Sequence, residues 1–169
     1  GSGIPKDQIQ LAFLRHSTSK IKSVEDLLTI SSLGFRGEAL SSIAAVAQVE
    51  LITKTAESLT GSRYLIDGGK EKSIEEIGAP NGTTFLVRNL FYNTPARRKF
   101  LKTGITEGNY ISDLVEKLAL SHPEISFRFI SGGQNKLYTS GNGTLKDVIY
   151  GVYGREITAG LIPLQYECE

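Results

Sequence analysis

The most constraining feature of the chain is a change of hydrophobic period. Val49, Leu51 and Thr53 alternate with Glu50, Ile52 and Lys54, the two-residue repeat of a strand buried on one face. On either side the apolar residues recur at helical spacing. Upstream these are Ile9, Ala12, Phe13 and His16; downstream they are Ile111, Leu114, Val115, Leu118 and Ala119. Such a chain must lay helices against a sheet. Turn signals at Asp67-Gly68-Gly69 and Gly132-Gly133 make the neighbouring strands antiparallel. The expected class is α+β, with helices packed on one face of a sheet.

Local signals place the other elements. Pro5 suits a first helical position and opens a helix over about 5–16. His16-Ser-Thr-Ser-Lys20 reads as a loop, and Ser23 with Asp26 as a capping box for a short helix through Ile30. Gly34-Phe-Arg-Gly37 is a break before a small-residue helix running from Glu38 to Ala47. Strands are expected at Arg63–Ile66 and at Gly82–Leu90, the latter rich enough in β-formers to be central. Thr94-Pro95 caps and opens a short helix, followed by a long helix at about 107–121. Ile125, Phe127 and Phe129 alternate into a hairpin that returns at Leu137–Thr139. Gly141-Asn-Gly143 is the best linker, and a further helix opens with Leu145, Val148, Ile149 and Val152.

Composition excludes several classes. With 169 residues, 40% hydrophobic and 22% charged, the chain has the make-up of an ordinary folded domain and not of a disordered one. Cys168 is the single cysteine, so no disulfide framework exists, and a reducing cytosol fits better than secretion. Lys and Arg number 19 against 18 Asp and Glu, a net charge of +1, so any contact with a polyanion must be local. The longest apolar run falls far below the ~20 residues of a membrane span. The chain has no Met and begins Gly1-Ser2-Gly3-Ile4 without a signal peptide. The expectation is a piece of a longer protein, or a recombinant product with Gly1-Ser2 as a cloning remnant.

Four segments could carry chemistry. In Gly34-Phe-Arg-Gly-Glu-Ala-Leu40 two glycines flank Arg36 ahead of a helix. Glycine lets backbone approach a ligand, and a helix start offers unpaired N–H groups to a phosphate. The alternative is a structural turn with Glu38 capping the helix. Thr18-Ser19-Lys20 offers two hydroxyls and an ammonium, suited to phosphate oxygens or to a solvated loop. Thr83, after Gly82, could reach a nucleobase directly or through water, or be an ordinary β-branched strand residue. Arg97, Arg98 and Lys99 sit near a helix start, where three cations oppose the dipole and suggest an anionic partner; the alternative is a solvated basic turn. His16, His122 and one Cys make no metal site at usual spacings. No Walker motif, nucleophile elbow or acid/base pair occurs, and no catalytic residue is assigned.

The order of these segments is more specific than any one of them. Gly34–Leu40 resembles the signature heptapeptide of the MutL family of DNA mismatch repair ATPases. His16-Ser-Thr-Ser-Lys20 and Leu90-Phe-Tyr-Asn-Thr-Pro-Ala-Arg-Arg-Lys-Phe100 resemble two further blocks of that family, in the right order and closest in flavour to bacterial members. The resemblance implies the GHKL fold shared with gyrase B, Hsp90 and histidine kinases, an α/β sandwich that binds Mg-ATP beneath a mobile lid. Thr18, Ser19 and Lys20 would then line the triphosphate side. Arg36, Gly37, Glu38, Ala39 and Leu40 would supply lid backbone N–H groups. Thr83, or in another register Thr84, would lie near the adenine, and Gly1 and Gly3 would close the family's Asp-x-Gly-x-Gly motif.

The family's catalytic Glu and Mg-binding Asn sit on a first helix that these residues do not contain. Its adenine-recognising Asp and γ-phosphate Lys are also outside the sequence. The resemblance therefore implies that this chain alone neither hydrolyses ATP nor binds it tightly, while a longer parent does both. It implies a partial ATPase domain over 1–140 and, over 141–169, a linker into an S5-like second domain. The apolar residues Leu145, Val148, Ile149 and Leu161 would then be left exposed. ATP would drive homodimerisation of the N-terminal regions. Implied partners are DNA, the mismatch recognition protein MutS, a helicase, an endonuclease and a sliding clamp. The implied location is the bacterial cytoplasm, at the nucleoid when active, with no membrane contact. Another GHKL ATPase, such as a topoisomerase subunit, fits the Asn93–Arg98 block less well. The remaining alternative is a non-enzymatic scaffold or dimerisation module.

Overall fold

The computed structural model describes residues 1–14 and 37–164. The loop at 16–20 and the helix expected after Ser23 lie outside the described residues. The chain forms two compact units, Gly1–Phe100 and Leu101–Glu169.

The first unit begins with a 3-10 turn, Lys6–Gln8, leading into α1, Ile9–Ala12. This is shorter than the expected helix, and Pro5 stands before the turn in extended conformation (ψ 145°). Next come α2 (Ala39–Val46) and the strands β1 (Gln48–Lys54), β2 (Gly61–Asp67), β3 (Lys70–Ile77) and β4 (Gly82–Arg88), then α3 (Pro95–Phe100). The strands form an antiparallel sheet in the order β3-β2-β1-β4.

The alternation read in β1 sets the layers. Val49, Leu51 and Thr53 are buried, and opposite them on β2 stand Ile66, Tyr64 and Ser62. Ile9 and Phe13 cover this face together with Ala44 and Ala47, at the end of α2. The Phe13 ring lies 5.2 Å from that of Tyr64 and 6.4 Å from that of Phe85. Leu51 is wholly buried, and truncating such a side chain to Ala typically costs ~2–5 kcal/mol.

Two expectations are corrected here. β3 was not foreseen, because Lys-Glu-Lys-Ser-Ile-Glu-Glu-Ile is mostly charged and only Ile74 packs against the core. β4 is the end strand of the described sheet, not a central one. Its β-forming residues are largely exposed, Phe85 by 38% and Val87 by 48%.

The second unit holds α4 (Gly104–Ser121), the hairpin β5 (Arg128–Ser131) and β6 (Gln134–Tyr138), and α5 (Leu145–Ala159). The Thr103 hydroxyl accepts from the Thr106 N–H at 3.3 Å and starts α4 earlier than the apolar pattern does. Ala119, Leu137 and Val148 form the core, with Val115, Phe127, Phe129 and Val152 packed on it. Val148 is therefore buried, not exposed as its place on an unpartnered face suggested. Ile111 and Leu114 remain half-exposed. The Gly143 N–H donates to the Pro123 carbonyl at 3.0 Å, and α5 is interrupted at Gly154, whose φ is +81°.

Candidate nucleotide-binding site

Thr53 is the polar centre of the first unit. The alternation that buries Val49 and Leu51 also carries Thr53 inward, to 1% exposure. A hydroxyl there must be satisfied. It accepts from the Ile4 N–H at 2.8 Å and lies 3.1 Å from the Gly82 carbonyl and 2.9 Å from the Thr83 hydroxyl. A carbonyl can only accept, so the single Thr53 proton goes to Gly82. Thr83 then donates its own proton to Thr53, and the remaining lone pairs of its exposed hydroxyl are left to accept from a ligand.

Glycines hold the backbone against this centre. Gly3 has φ +83°, and a Cβ on it would overlap the Lys54 carbonyl and stand 2.8 Å from the Thr55 nitrogen. The residue can be nothing larger if the 1–4 segment is to lie along the end of β1. A Cβ on Gly82 would stand 3.6 Å from the Gly1 carbonyl oxygen. The structure thus brings the Gly1–Ile4 segment and Thr83, far apart in sequence, together around one buried hydroxyl, which Ile4 and Thr83 bond directly while Gly3 packs on the neighbouring Lys54 backbone. The available signal was a polar side chain in the inward register of β1.

Gly37, Glu38, Ala39 and Leu40 form the start of α2. Gly37 has φ +64°. The Ser42 N–H donates to the Glu38 carbonyl at 3.0 Å, so the N–H groups of Ala39, Leu40 and Ser41 precede the first intrahelical bond. Glu38 occupies the N-cap position of α2, without a side-chain capping hydrogen bond. Leu40 and Ile4 pack against the same core, so the helix start and the Gly3 segment belong to the same face of the sheet. Thr18, Ser19, Lys20 and Arg36 lie outside the described residues.

The basic segment differs from expectation. α3 is only six residues long, so Arg97, Arg98 and Lys99 occupy its last turn, where positive charge is favourable to the helix dipole. They do not oppose it. All three are exposed and none forms an ion pair with a described residue. On the opposite sheet face Glu50 is held between Arg63 at 2.7 Å and Arg88 at 2.9 Å. The Arg63 hydrogen bond, then that of Arg88, keeps the Glu50 carboxyl below its ordinary range. Among the described residues no three His, Cys, Asp or Glu side chains gather as a metal site.

The chain is 69% identical over all 169 residues to the DNA mismatch repair protein MutL of Agathobacter rectalis, of which it covers 26%. It is 48% identical over its whole length to MutL of Thermoanaerobacter pseudethanolicus, covering 28% of that protein. The chain belongs to the MutL family. It spans about a quarter of the length of these curated relatives. No protein-family profile matches it. The solved MutL ATPase domain of Aquifex aeolicus, complexed with ADP, is similar over 90% of the chain and 53% of that domain, with TM-score 0.65 and 28% identity. The N-terminal domain of a DNA repair protein is similar over 91% of the chain and 45% of that domain, with TM-score 0.67 and 28% identity. The α+β fold with its four-stranded antiparallel sheet is that of the MutL ATPase domain. No described helix is long and apolar enough to cross a membrane.

Proposed function

We propose that this MutL-family chain carries the nucleotide-binding face of a GHKL-type ATPase sandwich, with residues 141–169 opening an S5-like second domain. The carrying observation is the convergence of the Ile4 N–H, the Gly82 carbonyl and the Thr83 hydroxyl on Thr53. A similar ATPase domain of this family was solved with ADP. Thr83 would face the adenine, and Gly3 would let the backbone close on it. The N–H groups at the start of α2, with Arg36 and the Thr18-Ser19-Lys20 loop, would bind the phosphates. ATP bound with Mg would supply the hydrolysable phosphoanhydride. The described residues gather no metal-ligand set.

In the whole protein, ATP would favour a closed, dimeric N-terminal region. That dimer would contact DNA through Arg97, Arg98 and Lys99 and coordinate MutS, a helicase, an endonuclease and a sliding clamp in the cytoplasm. The chain alone would not be catalytic. Isothermal titration with Mg-ATP, on this chain and on the protein at the length of its relatives, tests this. Tight binding by the longer protein, lost in Thr83→Ala, is expected. No binding by the longer protein would leave a non-enzymatic scaffold or dimerisation module.

A further inference from the structure

Helix α2 is fixed from its far end. The last carbonyls of a helix have no intrahelical partner, yet four consecutive ones here are all taken by donors from two loops. Ala44 accepts from the Gly69 N–H at 2.8 Å, Val46 from the Phe91 N–H at 2.7 Å and Ala47 from the Gly68 N–H at 3.1 Å. Ala45 accepts from the side-chain amide of Asn93 at 2.9 Å. The two loops also interlock. The Tyr92 hydroxyl donates to Asp67, and a Cβ on Gly68 would stand 2.7 Å from the Tyr92 hydroxyl and 2.9 Å from Asn93 Nδ2.

This seat stores strain. Asn89 and Phe91 have φ of +53° and +63°, a left-handed conformation that Asn tolerates but that is unfavourable for a bulky residue such as Phe91. Such residues persist only where the surroundings over-determine them. Phe91 is held by the N–H it gives to Val46. The strained conformation aims one backbone and one side-chain donor at the end of α2.

We infer that Asn93 is a positioning residue for phosphate binding: it seats the C-terminal end of α2 and thereby places the Gly37–Leu40 end. This rests on the reading of that end as the phosphate site. The helix is eight residues long, a rod of about 12 Å, so a tilt at the seat is carried whole to the other end. Asn93 touches no nucleotide itself.

The test is calorimetric binding of ATP and of adenosine to the protein at the length of its relatives, at a temperature where each variant is folded. Asn93→Ala removes the donor. Asn93→Asp keeps the size but turns an acceptor toward the Ala45 carbonyl. Both are expected to weaken ATP at least about tenfold, the size of one misplaced hydrogen bond to a charged group, while adenosine stays within about twofold. Gly68→Ala, pushing on Asn93 from the other loop, reproduces the loss if the Asn93 variants fail to fold. Tyr92→Phe, which removes only the bond to Asp67, keeps ATP affinity. A folded Asn93→Ala protein with unchanged ATP affinity, or with ATP and adenosine weakened equally, overturns the inference and leaves the proposed function standing. An unmutated protein that binds neither compound overturns both.

Discussion

The hydroxyls of Thr53 and Thr83 lie 2.9 Å apart, one buried in the sheet and the other exposed at its end strand. Because Thr53 is also bonded to the Ile4 N–H and the Gly82 carbonyl, it ties the amino-terminal segment to β4. Thr53→Val keeps the shape but orphans those groups. It is expected to cost about 1–3 kcal/mol, while Thr53→Ser costs less. Urea denaturation of the variants checks both. A Thr53→Val protein as stable as wild type would show that the hydroxyl holds nothing.

Gly3 has the same dependence in backbone form. Gly3→Ala forces a side chain into the Lys54 carbonyl at positive φ and is expected to cost about 2 kcal/mol or more. Gly78, with nothing within 4 Å of an added Cβ, is the control. Gly78→Ala should shift the denaturation midpoint by the equivalent of about 0.5 kcal/mol at most.

The cations of α3 carry two opposed expectations. Charge reversal of Arg97 and Arg98 puts anions in the last turn of the helix and destabilises it slightly, by some tenths of a kcal/mol each. In the longer protein the same change should weaken DNA binding and lower the slope of log affinity against log salt by about 2. An unchanged slope would remove these residues from the DNA contact.

Glu50 sets an acid limit. Its carboxyl is held below the ordinary value of 4.5, first by the hydrogen bond from Arg63 and then by that from Arg88. A depressed folded-state value means that the stabilisation is fully present above the unfolded value. It is lost as pH falls through the folded one. Melting temperature from pH 7 down to about 3 should fall less steeply in Glu50→Gln than in wild type. Parallel curves would contradict the assignment.

The sequence disclosed whatever depends on local period. β1, β2, the β5–β6 hairpin and both long helices follow from side chains that alternate or recur within a few residues. β3 escaped because its outward face is charged and its inward face offers one isoleucine. The sense of the α3 cations escaped because it turns on where a six-residue helix stops. Thr53 and Asn93 escaped for a shared reason. Each acts through hydrogen bonds to groups 29 to 49 residues away, and no spacing rule reports such a pairing. Gly3 is legible only through the resemblance, Thr83 also as a hydroxyl that follows Gly82 at a strand start, and their meeting place only through the fold.

The most direct test of the central claim is Mg-ATP binding to the protein at the length of its relatives, with and without Thr83→Ala, alongside this chain alone. The account predicts tight binding by the longer protein, its loss in a Thr83→Ala protein that is still folded at the assay temperature, and no turnover by this chain. Equal ATP affinity with and without the Thr83 hydroxyl would contradict it.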